Sequence, residues 1–410
     1  MDAICRSCGS EQLETVLSLG RLPLANRLLT EEQLCEPEPR YPLDLAFCPD
    51  CSLVQITETV PPEVLFRDYP YLSSFSELDN ARDCVEGVLA SGNLHSGSLV
   101  MEIGSNDGYL LGQYAERGIP VLGIDPAENI VPVAEERGVP TRCEFFGAAM
   151  GERLRDEGIL ADVIHANNVL AHVADLGGVV DGLRNVLKPD GQIVIQVPYV
   201  EELIRRTEFD TIYHEHLCYF SVTALYKLFA RHGLEFHHVS FLPIHGGSIR
   251  AFVRHRKSGD NAPTQQIARV LEREQAIGMN GIAFYASFRV RVERLREALR
   301  SLLGIRKEAG EHLVGYAASA KGTTLLNYCG IGAETLDYVV DRSTVKQGRY
   351  TPGTHLRIEP PEKLLADMPN YALLLAWNHA TQILRREAEY RARGGRFIVP
   401  VPEPRIYGVE

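Results

Sequence analysis

No stretch of this 410-residue chain approaches the ~18 consecutive apolar residues that a membrane-spanning helix requires. The run Tyr371-Ala-Leu-Leu-Leu-Ala-Trp377 suffices only for a short buried strand. Positive charge is also scarce. The 42 Lys and Arg against 54 Asp and Glu leave a net charge of -12, which argues against general nucleic-acid or anionic-membrane binding. The opening Met1-Asp-Ala-Ile-Cys-Arg-Ser-Cys8 has neither the basic nor the apolar part of an export signal, so a cytoplasmic location is expected. The nine cysteines are then expected as free or metal-bound thiols, not disulfides. Low-complexity tracts are absent. What remains is ordinary globular composition, 45% hydrophobic and 23% charged, in a chain long enough for two or three domains.

Three textures follow one another. Residues 1–78 contain Cys and Pro, short strands at Leu43 to Phe47 and Leu53 to Ile56, and little helical periodicity. Residues 79–255 alternate amphipathic helices with apolar strands at Leu99 to Ile103, Val121 to Ile124, Val163 to Ala166 and Gln192 to Val197. That alternation predicts a parallel sheet covered on both faces. Residues 256–410 begin with one or two long linking helices between Ala262 and about Glu308. A second α/β pattern follows, with strands at Leu313 to Ala317, Tyr338 to Val340, Tyr371 to Ala376 and Arg396 to Val399.

In the middle segment the strand ending at Ile103 runs into Gly104-Ser-Asn-Asp-Gly108, and a helix is expected to begin near Tyr109. Glycines there let backbone approach a ligand that a Cβ would hold off. About 20 residues later the next strand ends in Asp125, suited to a ribose diol. The dinucleotide fingerprint G-x-G-x-x-G is missing. A site with the ribose acid but no pyrophosphate cradle suits S-adenosylmethionine better than NAD.

Cys5-Arg-Ser-Cys8 and Cys48-Pro-Asp-Cys51 form two C-x-x-C knuckles. Each lets two thiolates turn toward one metal, and together they complete a closed tetrahedral Zn2+ site. Such a site has no open position for chemistry. Its expected role is to stabilise a small first domain.

Tyr213-His-Glu-His-Leu-Cys-Tyr-Phe220 concentrates acid–base groups. As a strand it would put Tyr213 and Glu215 on one face and His214 and His216 on the other; as a loop it could converge them on one substrate. No H-E-x-x-H helix follows to support a metal site, and a solvated polar loop is the bland alternative. His172 lies just past the strand Val163 to Ala166, at the end of the sheet where ligands bind, or it packs a helix. Asp68-Tyr-Pro-Tyr-Leu-Ser-Ser74 brackets the first boundary with two tyrosines, as pocket or as hinge. In the last segment, Gly315-Tyr-Ala-Ala-Ser-Ala-Lys-Gly322 between strand and helix makes an anion site. Asp341 closes the next strand there, imitating a dinucleotide half-site without its glycines.

Together these motifs resemble the zinc-containing sugar C-methyltransferases, which methylate carbon of nucleotide-linked 4-keto-deoxysugars. The resemblance extends over nearly the whole chain and includes Asn167-Asn-Val-Leu-Ala-His172 and His245-Gly-Gly-Ser-Ile-Arg250. It implies three units: a zinc-binding domain, a central class I methyltransferase doubly wound sheet, and a C-terminal Rossmann-like α/β domain. It implies that His216 is the base, assisted by Tyr213, Glu215 and His172, with Tyr69 or Tyr71 completing the pocket. The cofactor crevice is expected to comprise Glu102, Gly104, Asn106, Gly108, Tyr109, Leu110, Asp125, Pro126, Asn167 and Asn168. Ser319 and Lys321 are expected on the diphosphate, with His245, Arg250 and Tyr199 also toward the substrate. The implied partner is a small thymidine-diphosphate-linked ketosugar, with neither nucleic acid nor membrane. Two alternatives are an enzyme of this architecture acting on a non-sugar molecule, and a zinc-stabilised nucleotide-binding interaction protein without catalysis.

Overall fold

The computed structural model of the chain describes residues 3–67, 72–75, 78–90, 94–244, 246–257 and 262–408, with only backbone for Phe75 and Leu78. Tyr69, Tyr71 and His245 lie outside these residues. Strands β1 (Glu14–Leu22), β2 (Tyr41–Phe47) and β3 (Val54–Ile56) form an antiparallel meander. The middle of the chain supplies β4 (Val100–Ile103), β5 (Val121–Ile124), β6 (Thr141–Arg142), β7 (Ala161–Asn167) and β8 (Leu187–Pro198). These five are parallel in the order β6-β5-β4-β7-β8. Next, β9 (Cys218–Tyr219) leaves this sheet and pairs antiparallel with β3, placing Val54 opposite Tyr219 and Gln55 opposite Cys218. The chain then returns as the antiparallel pair β10 (Leu234–Leu242) and β11 (Ser248–His255), which extends the central sheet beside β8. The order 3-2-1-4-5 with a reversed strand next to the fifth defines a doubly wound sheet whose crevice opens at the carboxyl ends of β4, β5 and β7.

Two helices, Gln265–Ala276 and Ile282–Glu308, connect to a third sheet. It consists of β12 (Leu313–Tyr316), β13 (Val339–Val340), β14 (Ile358–Glu359), β15 (Tyr371–Leu374), β16 (Arg396–Val399) and β17 (Arg405–Tyr407), in the order β14-β13-β12-β15-β16-β17. The linking region is split because Gly278, at φ +83, ends the first helix and Gly281 caps the second. Among the described residues no helix is long and apolar enough to cross a membrane.

The first sheet does not stand alone. Leu17, Leu45, Phe47, Leu53 and Val54 join one continuous apolar core with Phe209, Met279, Tyr285 and Phe288. The Phe47 and Tyr285 rings stack at 5.0 Å between centroids.

The central sheet positions its crevice through close helix packing on one face. Helices Ala148–Asp156 and Leu176–Val186 touch backbone to backbone, and a Cβ on Gly182 would lie 2.6 Å from the Gly147 carbonyl oxygen. Gly182→Ala is therefore expected to destabilise the protein by about 1–3 kcal/mol through overpacking. Urea unfolding would report it as a lower midpoint at unchanged slope.

Candidate active site

Gly104 lies at φ +64, and a Cβ there would meet Val169 Cγ2 at 2.7 Å, so only glycine lets the β4 turn pass. Asn106 takes φ +48 in the same turn, and Gly108 takes φ +73 before the helix that starts at Leu111. Asp125 at the end of β5 folds back on this turn. Its Oδ2 accepts from Asn106 N at 2.8 Å and its Oδ1 from Ala127 N at 2.9 Å. The carboxylate is thereby held in one rotamer while each oxygen keeps a lone pair for a diol. Asn106 Oδ1 accepts from Ser73 N at 2.8 Å, which ties the segment 72–75 to the turn.

Glu102 is fully buried, and neither carboxylate oxygen meets a donor among the described residues. Burial, then the neighbouring Asp125 and Asp107, push its carboxyl well above the usual carboxylate range. Asn167 Oδ1 is likewise buried and unpartnered. Asp125 and Asn167, acceptors that line a cavity at a glycine turn, fit a ligand that brings hydrogen-bond donors, as S-adenosylmethionine does.

A cavity of about 690 Å³ begins at this turn. Gly104, Asn106, Tyr109, Asp125, Pro126, Asn167 and Asn168 line it; Glu102, Gly108 and Leu110 do not. It continues past His172, Tyr213 and His216 and ends against the third sheet at Ser319, Lys321, Lys346 and His379.

Tyr213 and His216 meet because their segment is a turn, not a strand. It follows the 3-10 turn Phe209–Thr211 and closes with His216 N donating to the Tyr213 carbonyl at 2.8 Å. His216 Nδ1 lies 2.9 Å from the Thr211 carbonyl, which can only accept. The ring proton is therefore on Nδ1, and Nε2 presents a lone pair that accepts from the Tyr213 hydroxyl at 2.8 Å. His172 repeats the pattern: Nδ1 donates to the Glu215 carbonyl at 2.6 Å, and burial lowers its pKa to about 4. The two imidazoles stack edge-on at 4.9 Å between centroids. His214 points the opposite way, with Nε2 3.1 Å from the Pro42 carbonyl.

Glu215 does not line the cavity. Its two oxygens lie 2.8 and 2.9 Å from Asn26 Nδ2, and burial raises its pKa to about 7 despite that hydrogen bond. Tyr199 and Arg250 are also elsewhere. The Tyr199 hydroxyl donates to buried Glu274 at 2.8 Å, and Arg250 bonds Asn80 and Gln196 at 2.9 Å each. Both serve internal polar networks: Tyr199 caps the helix Val200–Arg205 just past β8, and Arg250 lies within β11. Asn26, Phe66, Phe145, Thr211, Lys346 and His379 line the cavity without having been expected there. Only His379 had a sequence signal: it closely follows β15, at the sheet end where ligands bind.

At the far end of the cavity, Ser319 caps the helix Ala320–Cys329 by accepting from Gly322 N at 3.1 Å and donates to the Leu375 carbonyl. Asp341 Oδ2 accepts from Ala318 N at 2.7 Å, the same back-folded acid that Asp125 forms in the central sheet. Lys321 Nζ is buried without a hydrogen-bond partner among the described residues, 5.0 Å from the Trp377 ring centroid. The Trp377 indole N–H donates to Asp210 Oδ2 at 2.6 Å, joining the third sheet to the turn that carries His216.

Away from the cavity, all four sulfurs of Cys5, Cys8, Cys48 and Cys51 lie within 4.8 Å of one another. Cys5–Cys51 and Cys8–Cys48 are 3.4 and 3.6 Å apart, close to the ~3.7 Å that four Zn–S bonds of ~2.3 Å impose. The knuckles repeat one geometry: Gly9 N donates to the Cys5 carbonyl and Ser52 N to the Cys48 carbonyl, at φ +74 and +66. A hydrogen bond from Cys51 lowers the Cys5 thiol to about 5, whereas burial raises Cys48 to about 11. A central dication is what allows all four to ionise.

Family models match along the chain: "Putative zinc binding domain" over residues 5–66, "Methyltransferase domain" over 78–239 and "C-methyltransferase C-terminal domain" over 243–402. The C-methyltransferase NovU of Streptomyces niveus is 38% identical over 408 residues, 99% of this chain and 97% of NovU. The mitochondrial ubiquinone biosynthesis O-methyltransferase of Bos taurus is 29% identical over 105 residues, 24% of this chain and 28% of that protein. The magnesium protoporphyrin IX methyltransferase ChlM of Synechocystis PCC 6803, solved with bound SAM, aligns with 44% of this chain and 79% of its own at 16% identity and a TM-score of 0.34. The doubly wound sheet, its acid-closed turn, the three family models and the full-length match to NovU define an S-adenosylmethionine-dependent methyltransferase. More narrowly, the chain belongs to the zinc-containing C-methyltransferases, the family of NovU.

Two expectations follow. Cys48→Ser should remove the stoichiometric zinc measured by elemental analysis and lower the melting temperature, since metal ligation contributes folding free energy. Glu215, whose carboxyl is raised from 4.5 to about 7, contributes stability in its neutral form that is full below 4.5 and lost as pH rises through 7. Glu215→Gln should accordingly flatten the pH dependence of denaturant midpoints between pH 5 and 8.

Proposed function

We propose that the enzyme methylates a carbon next to the ketone of a nucleotide-diphospho-4-keto-deoxysugar. Carbon is a poor nucleophile, and its methylation requires first removing a proton made acidic by an adjacent carbonyl. The observation that carries this reading is the single cavity shared by the cofactor turn, the Tyr213–His216 pair and the anion-binding end at Ser319 and Lys321. A bound S-adenosylmethionine supplies an electrophilic methyl group. The protein supplies the base: His216 Nε2 has its lone pair free of a ring proton and hydrogen-bonded to the Tyr213 hydroxyl. The substrate proton passes to the Tyr213 oxygen as that hydroxyl gives its own proton to Nε2, so the pair gains one proton and the substrate becomes an enolate. Tyr213, again a neutral hydroxyl, is then a donor for the enolate oxygen. His172 remains neutral and holds the turn through the Glu215 carbonyl. Lys321, buried without a hydrogen-bond partner among the described residues and within electrostatic reach of Glu208 and Asp210, and the start of the helix at Ala320 provide donors for a diphosphate. A thymidine nucleotide is the proposed carrier.

Incubation with S-adenosylmethionine and a panel of ketosugar nucleotides, read by mass, should show transfer of one methyl group to carbon. Methylation only of non-sugar ketones would refute the sugar assignment. In heavy water without cofactor, the wild type should exchange the proton beside the ketone. His216→Asn should slow that exchange about 10²–10⁴-fold, with adenosylhomocysteine affinity unchanged. Persistent exchange in the variant would remove His216 from the role of base.

A further inference from the structure

Glu215 carries a buried carboxyl that the proposed proton transfer does not use, and the side chain it bonds, Asn26 of the zinc-bearing segment, lines the cavity. Asn26 lies outside every motif of the sequence, beyond the carboxyl end of β1, and lines the cavity with His172, Tyr213 and His216. Its amide nitrogen is 2.8 and 2.9 Å from the two Glu215 oxygens. Glu215 is 3% exposed, and its carboxyl takes no other hydrogen bond among the described residues. A planar amide whose nitrogen is turned to a carboxylate must direct its oxygen away from it. Asn26 Oδ1 accepts no hydrogen bond within the described protein and is not among its buried unpartnered atoms.

We infer that Asn26 is a substrate-specificity residue, held by Glu215 so that its amide oxygen accepts a hydrogen bond from one hydroxyl of the ketosugar. Glu215 is then a positioning residue that acts through Asn26 and does not touch the substrate. Both Glu215 oxygens face the Asn26 amide nitrogen, which leaves the amide oxygen for the substrate, so the site takes a hydroxyl and rejects groups that can only accept. This inference rests on the ketosugar reading above and specifies what that site selects. It also gives the zinc-bearing segment a direct share in the pocket, because the residue comes from that segment and its orienting partner from the Tyr213–His216 turn.

The test measures binding to the adenosylhomocysteine-loaded enzyme by titration calorimetry. The probes are thymidine diphosphate 4-keto-6-deoxyglucose and analogues in which one sugar hydroxyl at a time is replaced by fluorine, which accepts but does not donate. One replacement is expected to weaken wild-type binding about ten- to a hundredfold, the usual consequence of leaving a buried acceptor unpaired. Asn26→Leu should bind the parent sugar more weakly and lose discrimination at that one position. Asn26→Asp should bind more tightly as pH falls, because two facing carboxylates repel at high pH, whereas one shared proton relieves the repulsion and still leaves an oxygen to accept. That pH response also keeps the inference testable if the leucine variant fails to fold. Unaltered parent affinity in Asn26→Leu, or undiminished discrimination, would overturn the inference while leaving the ketosugar reading intact. Failure of the wild type to bind the parent sugar, with adenosylhomocysteine still bound, would instead overturn the reading itself.

Discussion

The short pairing of β3 with β9 is the constraint on which the arrangement of this molecule turns. Two residues, Cys218 and Tyr219, leave the central unit and complete the zinc-bearing sheet against Val54 and Gln55. Immediately before them, Leu217 accepts from Ile56 N at 3.0 Å and donates to the Ala171 carbonyl at 2.6 Å. His216 is therefore one residue from a three-way stitch joining the first sheet, the strand and the His172 segment. The zinc knuckle reinforces that stitch: Arg6, between two ligands, bonds the Ile56 and Glu58 carbonyls, and Arg6 N donates to Gln55 Oε1 at 2.8 Å. Four thiolates around one ion leave no open coordination site, so the metal's link to the Tyr213–His216 turn is structural and runs through this backbone.

A second theme is repetition with changed chemistry. The central and third sheets each place a tight turn after their first parallel strand and fold an acid back onto it, Asp125 on Asn106 N and Asp341 on Ala318 N. The central turn presents Asp125 and Asn167 as acceptors to the cavity; the third is flanked by Lys321 and Lys346, the latter 4.0 Å from Asp341. One cavity thus has hydrogen-bond acceptors at one end and lysine ammonium groups at the other. That polarity suits a cationic cofactor and an anionic nucleotide, and it opposes binding either in the other's place.

Local signals were the readable ones. The strands Val121–Ile124 and Arg396–Val399 are apolar runs bounded by Gly, Asp or Pro, and the cysteine knuckles depend on spacing alone. By contrast β1, β10 and β11 mix polar and apolar residues within segments rich in Glu, His, Ser and Arg, and β1 and β11 take their places through the distant β2 and β8. The same distinction separates the site residues. His172, Tyr213, His216, Ser319 and Lys321 lie in motifs at strand ends or turns, and all reach the cavity. Asn26 and Thr211 have no motif, because only tertiary packing brings them there. Arg250 lies within a motif and Tyr199 just past a predicted strand, yet their polar atoms enter networks with Asn80, Gln196 and Glu274.

The protonation of the two imidazoles is the last element that geometry determines. Each Nδ1–H is pinned to a backbone carbonyl, so both rings present Nε2 lone pairs toward one space. Two imidazoles stacked 4.9 Å apart cannot both become cationic at modest cost. Burial decides between them, since a pKa near 4 keeps His172 neutral throughout the working range. The single proton abstracted in the proposed reaction must then reside on the ring that already shares a hydrogen bond with Tyr213. Asp210 and Trp377 bear on that ring only indirectly, through the 209–211 turn whose Thr211 carbonyl fixes its tautomer. Control of a proton at Nε2 is thus exerted from Nδ1, by a carbonyl that the third sheet helps to hold.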